Sequence, residues 1–398
     1  MNLPRPELSP LQRRALINGA IATLITLVLG FSVLSLTGDG TEPSAAPTRS
    51  PSPQPSAPAC IATWDVVQAA DPGDASNALR GVTVLSAGEA WAVGGSGPDL
   101  EQPATVLLER WDGSAWTAEE GPTSSASVNE LRAVDASEPN DVWAVGRASG
   151  SAGDVPVALR YDGSTWTAVE LPPDLGGVLT GVAAIAPDDV WAVGYTGDPA
   201  ASLNRALMLH WDGELWAVVD PGRAIGQGAS LLSDVDATGP NEVWAVGTLH
   251  ARQPLILHLD GRRWERTPSD VRGTANGIAP TAPRDAWVAG SPIQRWDGSS
   301  WTQTANVRSD GELASIAAVS PSDVWAVGSR PASEGMTRAL VLRFDGKRWG
   351  PVDGPTVPGS DALTSVDALP DGTVLAVGYK DVETGRRTLA IRGSTCAG

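Results

Sequence analysis

The sequence is short of several residue types. Histidine, phenylalanine and tyrosine occur three, two and three times in 398 residues, and cysteine twice. A metal centre needs three or four ligands in proximity, and His210, His250, His258 and two cysteines make a poor supply. Lys and Arg number 28 against 46 Asp and Glu, a net charge of −18. That balance repels phosphate backbones and argues against nucleic acid as a general partner. Long uncharged runs are scarce too, with one exception: Ala15 to Thr37, "ALINGAIATLITLVLGFSVLSLT". As a helix it would span about 34 Å at ~1.5 Å per residue, enough for a bilayer core. Arg13 and Arg14 precede it directly and the next basic residue is Arg49. The positive-inside rule then makes residues 1–14 a cytoplasmic stub and leaves the rest of the chain extracytoplasmic. The apolar region of a cleaved signal peptide is shorter, ~7–15 residues, with an A-x-A site close behind. A retained signal anchor, one transmembrane helix over residues 15–37, is therefore expected, with cleavage as the alternative that N-terminal sequencing decides.

Glycine and proline are plentiful at 44 and 32 residues, and tryptophan reaches 16. Residues 38–59, "GDGTEPSAAPTRSPSPQPSAPA", contain six prolines and four serines and show no apolar periodicity. Such a segment cannot bury a core and reads as a disordered, semi-rigid linker. Beyond it the phrase "DVWAVG" occurs at 141, 189 and 323, with near copies at 89, 242, 285 and 372. After each of the first six copies comes a second unit such as "ERWDGSAWT" at 109 or "LRYDGSTWT" at 159, and before each copy a run such as "LRAVDA" at 131. Repeats some forty to fifty residues apart signal a propeller or a solenoid.

Each repeat reads as four short antiparallel strands, a to d. Strand a is the "LRAVDA" run and b the "DVWAVG" phrase; c precedes the Asp-Gly and d carries the following Trp. Asp-Gly between apolar and aromatic residues predicts a tight c–d hairpin, with a two-residue type I′ turn as the expected form. The a–b connections, such as "SEPND", are compact and rich in turn residues. Four antiparallel strands make a propeller blade. Six repeats are complete, and the seventh, "LTSVDALP", "TVLAVGY" and "RTLAIRG", lacks its Trp strand. "CIATWDVVQ" from Cys60 supplies that strand, with Trp64 in register with "GSTWTAVEL". The expectation is an all-β, seven-bladed β-propeller over residues 60–398, closed by pairing of the N-terminal and C-terminal strands. The only two cysteines, Cys60 and Cys396, flank the junction, and an extracytoplasmic location permits a disulfide between them.

All the tryptophans fall at repeat positions: strand b (Trp91, Trp143, Trp191, Trp244, Trp287, Trp325, with Leu375 in the seventh blade), strand d, and the position before Asp-Gly. That regularity predicts mortar between blades, with the Ala and Gly of "WAVG" letting the next blade approach; an aromatic platform for sugars is the alternative. "DVWAVG" alternating with "WDGSxW" resembles the repeats of bacterial secreted β-propellers, loosely grouped with kelch, galactose-oxidase-like and Asp-box propellers. "YDGSTW" holds one residue fewer between Asp162 and Trp166 than an Asp-box. A galactose-oxidase-like copper site would need Tyr, His and a Cys crosslink. The resemblance to sialidase-like propellers would imply an Arg triad with a Tyr nucleophile, and Tyr195 and Tyr379 directly follow "WAVG".

His210 and His258 stand where other blades place Arg110, Arg160, Arg295 and Arg343, so they read as scaffold. No nucleophile, base and orienter can be grouped, and no cofactor is implied. The compact turns share one acidic rim. The opposite rim carries the dissimilar b–c and d–a loops, where recognition usually resides. Arg80, Arg132, Tyr195, Arg252, Asn276 and Tyr379 are the candidate ligand contacts there. The expected role is a membrane-tethered, non-catalytic binding module for a cell-envelope glycan or partner protein. A glycan hydrolase or lyase using rim Arg and Tyr, or a structural assembly platform, are the alternatives.

Overall fold

A computed structural model describes residues 61–72, 76–98, 105–122, 128–150, 153–197, 204–226, 228, 230–249, 253–306, 311–354 and 356–395. The chain divides into two units, Met1–Pro55 and Ser56–Gly398. The expected stub, anchor and linker, Cys60, Cys396, His250 and Arg252 lie outside the described residues. Among the described residues no helix is long and apolar enough to cross a membrane.

Seven four-stranded antiparallel sheets follow the expected repeats. Six are built in chain order. The seventh takes three strands from the C-terminal end and its outermost strand, Ile61–Val67, from the beginning. That strand pairs with Gly385–Thr395, setting Trp64 opposite Gly393 and Val66 opposite Ile391. The chain ends therefore meet in one sheet.

The apolar core is partitioned between blades. Each of its seven clusters straddles two neighbouring sheets; one joins Trp91, Val93 and Leu108 of the first blade to Leu131, Val142 and Trp166 of the second. At six interfaces the strand-b Trp of one blade meets the strand-d Trp of the next edge to face. The pairs are Trp91–Trp166, Trp143–Trp216, Trp191–Trp264, Trp244–Trp301, Trp287–Trp349 and Trp325–Trp64, with centroids 5.1–5.8 Å apart. At the seventh, Leu375 joins Trp116 in the same cluster. This geometry presents the positive edge of one ring to the negative face of the other and is worth about 0.5–1.5 kcal/mol beyond burial. The tryptophans are mortar.

Each strand-b Trp also carries an Arg or His side chain from strand c. Arg110, Arg160, Arg295 and Arg343 lie over Trp91, Trp143, Trp287 and Trp325, and His210 and His258 stack on Trp191 and Trp244. The carboxylate that opens strand b holds each in place: Glu89, Asp141, Asp189, Glu242, Asp285 or Asp323, at 2.6–2.8 Å. This explains the acid at the head of "DVWAVG" and confirms the two histidines as scaffold.

The c–d hairpins depart from the expected type I′ turn. Trp111 pairs with Trp116, leaving a four-residue loop. Gly113 takes a φ of 94° while Asp112 stays at negative φ. The Asp112 carboxylate instead accepts the backbone N–H groups of Ser114 and Ala115 at 2.8 and 2.9 Å. Asp162, Asp212, Asp260, Asp297 and Asp345 repeat the arrangement. The Asp is retained for its acceptor oxygens, which close the turn from inside.

Candidate functional site

The innermost strands line a central channel enclosing about 250 Å³. In six of them one residue is left out of the a–b ladder, a β-bulge at Arg80, Arg132, Thr180, Ser233, Ala314 and Thr364. Asn276 takes the corresponding place in the fifth blade, where its backbone N–H donates to the Ala289 carbonyl. A bulge re-aims the side chain it carries, and all seven residues line the channel at its loop-side mouth.

The bulge has a steric condition on the facing strand. Opposite the residue preceding each bulge stands the glycine of "WAVG": Gly94, Gly146, Gly194, Gly247, Gly328 or Gly378. A Cβ on any of them would overlap a carbonyl oxygen of its own blade's strand a, that of Glu130 in the case of Gly146. This corrects the expectation that the glycine serves the approach of the next blade. Neighbouring blades come close instead at the residue after the bulge, where a Cβ on Gly181 would lie 2.8 Å from Asp234 Cα.

Arg80 and Arg132 open the mouth from adjacent blades. Glu130, its side chain 4% exposed, receives both: Arg80 Nε at 3.1 Å and Arg132 Nε at 3.2 Å. Arg147 Nε joins them at 3.0 Å and also pairs with Asp154 at 2.9 Å. Burial pushes the Glu130 carboxyl up, but the charges of Arg132 and Arg80 and the bond from Arg147 outweigh it and hold the group below its ordinary value. Tyr195 lines the same recess as Arg80, Glu130 and Arg132. Tyr379 lines an adjoining one with Arg80, Asn276 and Glu312, its ring under the Arg386 guanidinium at 3.9 Å. Five of the six residues expected as contacts thus converge on one mouth. Asn276 also has a scaffold task, donating its side-chain amide to the Leu313 carbonyl of the next blade at 2.7 Å.

Deeper in the channel lie four carboxylates that sequence reading passed over: Asp135, Asp234, Asp236 and Asp367. They lie on edge strands whose backbone groups lack a further ladder partner, and three of them cap the next blade. Asp135 accepts from Ala184 N at 2.8 Å, Asp234 from Ile278 N at 3.0 Å and Asp367 from Val84 N at 2.7 Å. Thr180 and Thr364 hydroxyls donate to the Leu232 and Leu79 carbonyls in the same sense. Enclosure by seven sheets pushes Asp135 up to about 7 and Asp234 and Asp367 up to about 6. Burial and the charges of Asp135 and Asp234 raise Asp236 well above the usual range. Lining up strand-a positions across repeats would have revealed this layer and the bulge ring. Glu130, one residue before the shared Leu, carried no repeat signal.

No family model matches the chain, nor does any curated protein. Solved structures match it as a fold. The protein described as YCF48 bound to D1 peptide aligns with a TM-score of 0.58 at 16% identity, over 86% of this chain and all of that one. The WD40 β-propeller domain of Doa1 aligns at 0.56 and 11%, over 84% and 97%. A GH74 xyloglucanase from Xanthomonas campestris aligns at 0.54 and 14%, over 81% of this chain and 54% of its own. At these identities the likeness defines the class, a seven-bladed β-propeller.

Proposed function

We propose that the propeller is a non-catalytic binding module that receives a protein partner at the loop-side mouth. The carrying observation is the convergence of Arg80, Arg132, Tyr195 and Tyr379 where the bulges and the dissimilar loops meet. A propeller of the same fold is described with a bound peptide, which supports a peptide-like ligand over a glycan. The channel carboxylates that hydrolysis would recruit are engaged in holding neighbouring blades, Asp135, Asp234 and Asp367 each accepting a backbone N–H. In this reading residues 15–37 tether the ring outside the cytoplasm, and the linker gives it reach toward a partner in the cell envelope. A photo-crosslinking residue in place of Ala314, at the mouth, should capture the partner. The same residue in place of Leu215, 55% exposed in an opposite-rim turn, should not; capture from Leu215 alone would refute the choice of face.

A further inference from the structure

The arrangement around Glu130 goes beyond charge compensation. One buried carboxylate needs one guanidinium, and Glu130 holds three. Arg147, 12% exposed, turns its other end to Asp154. Arg80 and Arg132 keep 29% and 30% of their side chains exposed, and each contacts Glu130 through Nε. A guanidinium bound at Nε still has donors on its terminal nitrogens, set in a fixed plane. Glu130 therefore acts as a clamp that orients two forks from neighbouring blades over one recess of about 430 Å³. The Ser233 side chain lines that recess as well, as do Thr180 and Tyr195.

We infer that Arg80 and Arg132 form an oxyanion subsite, which takes a carboxylate or phosphate group of the partner between two guanidinium forks. This rests on the mouth being the binding face. Charge-assisted bonds to paired forks are stronger and more directional than those to a lone ammonium. Besides Glu130, the carboxylates that line the channel with Arg80 and Arg132 are Glu312 at the rim and Asp135, Asp234, Asp236 and Asp367 below the bulge ring, and none of the five forms an ion pair with either arginine. The chain as a whole is strongly acidic at −18, so capture of an anion requires a local site. The overall field of the chain repels an anion and works against it.

Titration calorimetry of the full chain in detergent, with a capped hexaglutamate peptide as probe, tests the subsite. Hexaglutamate should bind, hexaglutamine should not, and affinity should fall as salt shortens the screening length below about 10 Å. Arg80→Lys with Arg132→Lys keeps the charge beside Glu130 but removes the forks, and should weaken binding by roughly 10-fold or more. Ser233→Glu, which sets a carboxylate in the recess, should block the probe without disturbing the clamp. Arg262→Gln with Arg263→Gln, on the turn rim, should leave affinity unchanged. A capped phosphoserine peptide is the second arm: tighter binding than hexaglutamate assigns the group to phosphate, and weaker binding assigns it to carboxylate. Binding of neither peptide, equal binding of hexaglutamine, or indifference to both mouth variants overturns the subsite. Crosslinking from Ala314 that persists beside such a result leaves the binding face standing and removes only its chemistry.

Discussion

Trp64 is the side chain on which ring closure can be measured. It comes from the first described strand, is 6% exposed, and meets Trp325 edge to face at 5.6 Å and 84°. Around it lie Val341, Leu363, Leu389 and Ile391, contributed by parts of the chain more than two hundred residues away. Trp64→Ala removes an indole from a packed interface, a change that costs about 3–5 kcal/mol. An unfolding entropy of about 2.1 cal/mol/K per residue gives roughly 0.7 kcal/mol/K for a ring of this size, so Tm should fall by about 4–7 °C. Trp166→Ala is the internal standard. Trp166 is 5% exposed and meets Trp91 at 5.1 Å and 86°, the same arrangement between blades joined by continuous chain. Scanning calorimetry or circular dichroism under one buffer and scan rate compares the two. Closure predicts matching losses, because both interfaces belong to one cooperative circle. A Trp64→Ala shift of about 1 °C or less beside a full Trp166→Ala shift would refute it, leaving the first strand as an ornament on an open array.

The channel aspartates set a pH dependence of definite sign. A carboxyl whose folded pKa is raised contributes stability that is complete below its unfolded value near 4 and is lost as pH rises through the folded value. With Asp135 at about 7 and Asp234 and Asp367 at about 6, Tm should fall between about pH 4 and pH 7, and Asp135→Asn should narrow the fall; a flat profile would refute the ring of raised carboxyls. Asp162 and Asp297, held down to about 2 by turn hydroxyls and N–H groups, act in the opposite sense, with their contribution lost only as pH drops below about 4. Gly146→Ala drives a Cβ into the Glu130 carbonyl and should cost roughly 2–3 kcal/mol, whereas Gly88→Ala, with open space around it, should stay within about 0.5 kcal/mol; denaturant midpoints compare them. The closing pair ends at Ile61 opposite Thr395, and Cys60 and Cys396 are the next residues in sequence on the two sides. A disulfide there should shift mobility on reduction and stabilise the ring by up to about 6 kcal/mol in the chain-entropy picture; two titratable thiols in the oxidised protein would refute it.

Much of the architecture was legible because a propeller writes each structural rule several times. Six strand-b tryptophans, the Arg or His of strand c and the Asp-Gly turns expose blade number, strand order and closure without any long-range contact being known. The turn geometry was misread because Asp-Gly is compatible with both a two-residue turn and a four-residue loop. Asp112 declares itself only through the N–H groups its carboxylate reaches. Of the residues expected at the variable-loop rim, Arg80, Arg132, Tyr195 and Tyr379 lie around the channel mouth. Glu130 escaped because its meaning depends on three arginines from two blades and three strands meeting at one point, a coincidence with no spacing to read.

The repeated scaffold and the residues of the channel mouth are mechanically connected in this chain. The glycine that ends "WAVG" recurs because strand a must bulge against it, and the bulge is what turns one residue per blade into the channel. Repetition fixes where seven side chains are presented; it leaves their identity free, since a bulged residue has no ladder partner to match. The observed set of two Arg, two Thr, Ser, Asn and Ala at equivalent positions shows that freedom in use. The chemistry presented at the mouth can then change by substitution at the bulge while the Trp–Trp seams and the Arg and His stacks anchored by acids remain as they are. Exchanging Arg80 and Arg132 for the small polar residues of other blades should therefore alter what the mouth accepts far more than it alters the ring, provided Glu130 is replaced by a neutral residue at the same time. Left alone, that carboxylate would lose two of its three guanidinium partners while remaining buried, and removing one partner from such a cluster is strongly destabilising.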